Sequence, residues 1–140
     1  MFVKTKGKRR LAMLATAAIA SIASAPARAN QAMDVYASSI YGYCDAKKVA
    51  AVWNNSIFEA KAVIGNKIMQ NIQHLVDQDI ASARWVGCSW DETELTYEDA
   101  LKLAEFWDRS PSSAKQKAAA MASEMGVKRM MEQLWTVLRR

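Results

Sequence analysis

The sequence predicts an all-α fold, two tandem three-helix repeats forming one small helical domain with one disulfide, and three observations predict it. Residues 43–61 recur 54 positions later as 97–115, apolar residues beyond the first thirty follow helical spacing, and the chain has two cysteines, Cys44 and Cys88. In the recurrence Tyr43 falls on Tyr97, Asp45 on Asp99, Ala46 on Ala100, Lys48 on Lys102, Ala50 on Ala104, Trp53 on Trp107, Ser56 on Ser110, Ala60 on Ala114 and Lys61 on Lys115. These are nine identities in nineteen positions, so an internal duplication is the reading. No stretch has the strict alternation or the β-branched density of a strand.

The chain opens with Lys4, Lys6, Lys8, Arg9 and Arg10, continues with an apolar run from Leu11 to about Ala25, and offers Ala27-Arg28-Ala29 as a small-residue cut site. That pattern predicts a secretory signal peptide over residues 1–29 and a single mature domain over 30–140. The apolar run is shorter than the roughly 20 residues a bilayer span needs. No stable membrane insertion is therefore expected after cleavage, and the localisation expected is periplasmic or secreted.

Six of the 19 basic residues and none of the 14 acids lie in the leader, which leaves 13 basic against 14 acidic, a charge near −1. The basic isoelectric point thus belongs to the targeting segment, and a nucleic-acid partner is not expected. Both cysteines fall in the mature part, where an oxidising compartment favours a Cys44–Cys88 disulfide. It closes a loop for which the chain-entropy model gives roughly 4 kcal/mol.

Along the mature chain, Met33, Tyr36, Ile40 and Tyr43, then Ala46, Val49, Ala50 and Trp53, trace one helical face, with Gly42 marking a kink or the true start. Ser56 with Glu59 forms a capping box for a second helix carrying Ile57, Ala60, Ile64 and Ile68. Ile72, Leu75, Val76, Ile80 and Ala83 predict a third, ending near Trp85 and Gly87. Cys88 to Glu94 lacks a helical period and reads as the linker between repeats of about 33–87 and 94–140.

Thr96 and Asp99 cap the next helix, whose Ala100, Leu103, Ala104 and Trp107 reproduce the earlier face. Ser110 caps the following one, with Pro111 at its first position, where the missing N–H costs nothing. Ala114, Ala118, Met121 and Met125 line that helix and Gly126 stops it. Val127, Met130, Met131, Leu134, Trp135 and Leu138 define the last.

Little of this carries chemistry. Tyr43, Trp53, Tyr97 and Trp107 are expected as the repeat core, the tryptophans as its anchors. Lys61 and Lys115 are placed to cross the turn to Asp45 and Asp99 as salt bridges rather than as catalytic pairs. His74 stands alone on a solvated helix position, and no nucleophile motif, haem-attachment motif, phosphate loop or calcium loop is present. Met121, Met125, Met130 and Met131 read as core filler, not copper ligands, and no metal or cofactor is expected. Trp90, flanked by Asp91, Glu92 and Glu94 on a tethered connector, is the candidate partner-binding surface, the alternative being that Trp90 folds back as a lid. The function expected is non-catalytic binding of another envelope or secreted protein, of inhibitor, immunity or accessory-subunit type; the second reading is a small-molecule or metal binder using the groove between the repeats.

Overall fold

The computed structural model describes residues 25–140, and the predicted leader lies largely outside them. Among the described residues seven helices follow one another: α1 (Ala25–Ala37), α2 (Tyr43–Trp53), α3 (Ile57–Met69), α4 (His74–Ser82), α5 (Tyr97–Trp107), α6 (Pro111–Met125) and α7 (Val127–Leu138), with one turn of 3-10 helix at Asp91–Thr93 before α5. Among the described residues there is no strand. The Cys44–Cys88 disulfide is formed, its Cα atoms 5.8 Å apart, inside the usual span for such a bridge.

Three of the helices begin where a neighbouring side chain satisfies their first N–H groups. Ser56 and Glu59 form the capping box of α3, Thr96 and Asp99 that of α5, and Ser110 caps α6 with Pro111 behind it. Gly42 is the start of α2 and not a kink: the helix predicted through Met33 and Trp53 is two helices, α1 and α2, separated at residues 38–42. Asn54 and Asp108 end α2 and α5 in the same left-handed conformation, at φ 52° and 51°.

Two apolar clusters fill the domain. The first joins Tyr36, Tyr41, Ala46, Val49, Ala50, Ala60, Ile64, Val76 and Ile80; the second joins Leu103, Ala104, Ala114, Ala118, Ala122, Val127, Met130, Leu134 and Val137 with both cysteines. In each half the leading helix packs on the two that follow, α2 on α3 and α4, α5 on α6 and α7. Helix α1 lies outside this scheme and packs along α3, where the missing side chain of Gly65 lets the helix backbone approach that of Ala32. Met130 is fully buried, and Met121, Met125 and Met131 are half-buried against the same cluster.

The repeated aromatics correct the sequence reading. Trp53 is 55% exposed and Tyr97 61% exposed, so neither belongs to the core; Trp107 and Tyr43 are half-buried, and only Trp107 leans on a cluster. The reason is local. Trp53 and Trp107 are the last residues of their helices, one step before the left-handed turn, and the ring of Trp53 lies outward with its Nε1 donating to Asp79 at 2.8 Å. The apolar faces close with Ala50 and Ala104 instead.

Truncation should follow burial. Leu103→Ala is expected to cost about 2 to 5 kcal/mol and Trp53→Ala about 1 kcal/mol, measured by urea denaturation. A Trp53 loss as large as that of Leu103 would put its ring back in the core.

Candidate functional site at the seam between the halves

Helix α2 carries the chemistry that joins the halves. Asp45, at its third position, is fully buried and accepts three backbone N–H bonds: from Gly42 at 3.0 Å, which caps its own helix, and from Val127 at 2.8 Å and Lys128 at 2.9 Å, which cap α7. One carboxylate thus serves two helix N-termini, where unpaired N–H groups and the helix dipole favour negative charge. The approach depends on Gly126, at φ 84°: a Cβ there would stand 2.5 Å from Asp45 Oδ1 and collide with Ile80.

One turn later Lys48, also fully buried, performs the opposite task. Its Nζ donates to the carbonyls of Ala83 at 2.7 Å, Val86 at 2.8 Å and Ser123 at 2.5 Å. Ala83 ends α4 and Ser123 lies in the last turn of α6, so a cation sits where orphan carbonyls collect. Burial holds this amine below its ordinary value, opposed by the charge of Asp45. Around the pair, Cys44–Cys88 ties α2 to the connector, and Lys47 reaches the carbonyl of Gly87 and the carboxylate of Glu92, both at 3.0 Å.

A second network borders the seam. Lys128 lies between Asp77 at 3.0 Å and Glu132 at 3.1 Å, and Asp77 also accepts the hydroxyl of Tyr41 at 2.6 Å. Desolvation works against the Lys128 charge, but the two carboxylates outweigh it and raise the ammonium above its usual value. Burial, then the bond to Asp77, pushes the Tyr41 phenol well above its usual range. Beside this network a cavity of about 240 Å³ opens between α4 and α7, with Ile80, Ala81 and Met125 among its lining residues.

The repeated lysines are not paired with the repeated aspartates, as the spacing had suggested. Lys61 lies over the rings of Tyr36 and Tyr43, at 5.5 and 5.4 Å, and Lys115 over Trp90 and Tyr97, at 5.7 and 5.2 Å. Each half therefore holds one ammonium between two aromatic faces. Asp45 is withdrawn to the seam, and Asp99 caps α5.

Trp90 is thus the positional counterpart of Tyr36, and two side-chain bonds of the α1–α2 turn recur in the connector around it. Ser39 Oγ donates to the Tyr36 carbonyl at 2.6 Å and accepts from Tyr41 N at 3.2 Å; Thr93 Oγ1 donates to the Trp90 carbonyl at 2.5 Å and accepts from Leu95 N at 3.4 Å. The lysines continue the correspondence, for Lys102 donates to the Leu138 carbonyl at 3.2 Å as Lys48 does to Ala83. The predicted partner surface is accordingly divided: Trp90 packs on the second cluster and Glu92 is held by Lys47 and Ser89, whereas Asp91 and Glu94 are exposed. Hydrogen bonds from Lys47 and Ser89 overcome desolvation and hold the Glu92 carboxyl below its usual value. His74 is exposed at the start of α4.

These residues define a disulfide-linked helical protein whose buried charges serve helix ends. Comparison with protein-family models, with curated proteins and with solved structures returned no match.

Removing the Asp45 carboxylate leaves three N–H groups at the seam without their acceptor and takes from Lys48 the one negative charge that favours its ammonium, so Asp45→Ala is expected to cost about 3 to 5 kcal/mol at neutral pH by chemical denaturation. Burial raises the Asp45 carboxyl from 3.8 to about 6, against the lowering effect of its N–H donors and Lys48. A folded value above the unfolded one means that this group's contribution to stability grows as pH falls through 6 and is lost as pH rises through it. The stability of the natural chain relative to Asp45→Asn should therefore improve from about pH 7 to about pH 4; a decline over that range would show that the N–H donors dominate.

Proposed function

We propose that this is an exported, non-catalytic protein that binds another macromolecule of the cell envelope or its surroundings, as an inhibitor, an immunity factor or an accessory subunit. The observation that carries the reading is the surface: Trp53, Phe58, Trp85, Phe106 and Trp135 stand 45 to 72% exposed on a small domain. Large aromatics left in water are what partner surfaces use as anchors. The charged groups that an acid–base reading would have used support the same view, because Asp45 and Lys48 cap helix ends and Lys61 and Lys115 lie against rings.

Export is supported by the leader pattern and by the disulfide, which persists in an oxidising compartment. Among the described residues no helix is long and apolar enough to cross a membrane. Cleavage after Ala29 would leave α1 from Asn30 onward and retain Ala32 and Tyr36, its buried contacts. The second reading, a small-molecule binder, draws on the cavity between α4 and α7.

Two measurements test the proposal. Mass spectrometry of the natural protein from the periplasm or medium is expected to find an N-terminus at Asn30 and an oxidised Cys44–Cys88 pair. In-cell cross-linking is expected to return one stoichiometric partner, lost when Trp53, Phe106 and Trp135 are exchanged together for Ser. An intact leader on a cytoplasmic, reduced chain would overturn the export reading. Cross-linking that returns no partner, with native mass spectrometry retaining a small molecule, would replace macromolecular binding with the second reading.

A further inference from the structure

From the docking of α1 we infer that folding closes the site at which the leader is removed: the Ala29–Asn30 bond is open to a leader peptidase only until α1 packs on α3. The inference deepens the export reading and rests on it. The predicted cut site Ala27-Arg28-Ala29 lies inside α1, which runs from Ala25 to Ala37 without a break. A peptidase takes its substrate as an extended strand whose backbone groups pair with the enzyme. In a helix those groups are already paired, the carbonyl of Ala29 with the N–H of Met33.

The anchor of the helix lies within a turn of the cut. Ala32 is fully buried, and its backbone lies so close to Gly65 of α3 that a Cβ on the glycine would overlap the Ala32 carbonyl. Tyr36, one turn further, is buried in the first cluster and has the Lys61 ammonium over its ring at 5.5 Å. Arg28 and Ala29 themselves border a cavity of about 520 Å³, shared with Ala62, Val63, Asn66 and Lys67 of α3. Freeing the Ala29 carbonyl breaks a bond that spans Ala32, so exposing the cut site and undocking α1 are one event. Cleavage of a folded chain then proceeds only through the population in which that contact is open.

The product of the cut is suited to redocking. Water adds across the Ala29–Asn30 amide, leaving a carboxylate on Ala29 and an amino group on Asn30. Asn30 then stands at the start of the shortened helix, and asparagine is among the residues that cap a helix best. Ala32 and Tyr36 stay with the mature chain. Release is thus decided by a race: a precursor processed before α1 docks loses its leader, and one that folds first keeps it.

The test uses the full-length precursor, folded and oxidised in detergent micelles, with a leader peptidase that cuts at Ala-x-Ala. Mass spectrometry reads the fraction of chains beginning at Asn30, against a synthetic peptide of residues 20–36 as reference. The peptide is expected to be cut after Ala29, and the folded precursor at least about tenfold more slowly. Gln31→Pro, at an exposed position, ends the incoming helix at the Ala27 carbonyl, while the new proline takes the first position of a shorter helix capped by Asn30. Gly65→Ala undocks α1 by the clash with Ala32. Each variant precursor, shown to be folded by near-ultraviolet circular dichroism, is expected to be cut within about threefold of the matching peptide. Hydrogen exchange needs no variant: the Met33 amide of the natural precursor is expected to be protected at least about tenfold.

A folded natural precursor cut as fast as its peptide overturns the inference, as does an unprotected Met33 amide or protection from cleavage that persists in the folded variants. Each of these results leaves the export reading standing. A peptide left uncut after Ala29 removes the export reading and the inference together.

Discussion

One buried carboxylate and one buried amine on the same helix hold this protein together. Helix ends expose unpaired backbone groups of one polarity, N–H at the start and C=O at the finish, and a helix end brought into an interior needs a partner for them. Helix α2 supplies both kinds a turn apart: Asp45 to the start of α7, Lys48 to the ends of α4 and α6. The second half docks through helix termini, with the disulfide closing the joint beside them. Neither charge would be tolerated there without those partners, because a lone buried ion is far more costly than a solvated one.

The seam is also what makes the two halves unlike. Val127 packs over Gly42 and Gly126 admits the Asp45 carboxylate, whereas the corresponding positions of the other half carry Thr96 and Asn71. Asn71 shares with Gly126 only a positive φ, 56° against 84°, and carries a side chain that the close approach of Asp45 to Gly126 would not admit. Asp99 correspondingly remains half-exposed and caps only its own helix, and Lys102 reaches one carbonyl where Lys48 reaches three. At several matched positions the two halves share bonds; at the joint they diverge.

Much of the local structure was legible. Ser56, Thr96 and Ser110 announced the helix starts because capping is a contact between neighbours in sequence, and the Cys44–Cys88 pairing was expected from the count of two cysteines behind a leader-like segment. The tryptophans misled because helical spacing identifies a face and not the depth to which its last residue is covered; Trp53 stands at the end of α2, more than half exposed, and meets Asp79 of α4 through a hydrogen bond and not by burial. The connector misled for a related reason. Its correspondence to residues 36–42 lies in an aromatic, a hydroxyl and their backbone bonds, Trp90 for Tyr36 and Thr93 for Ser39, and similarity of that kind is not identity.

By itself the sequence determined most of the helices, the caps of α3, α5 and α6, the cysteine bridge and the recurrence of one segment, all of which depend on groups within a few residues of each other or on simple counting. Tertiary structure alone decided which of two equivalent aspartates is buried, which lysine gathers the carbonyls of other helices and which cation each aromatic pair encloses. The physical reason is that a charge acquires its role from the helix end it meets, and Asp45 meets one 82 residues away.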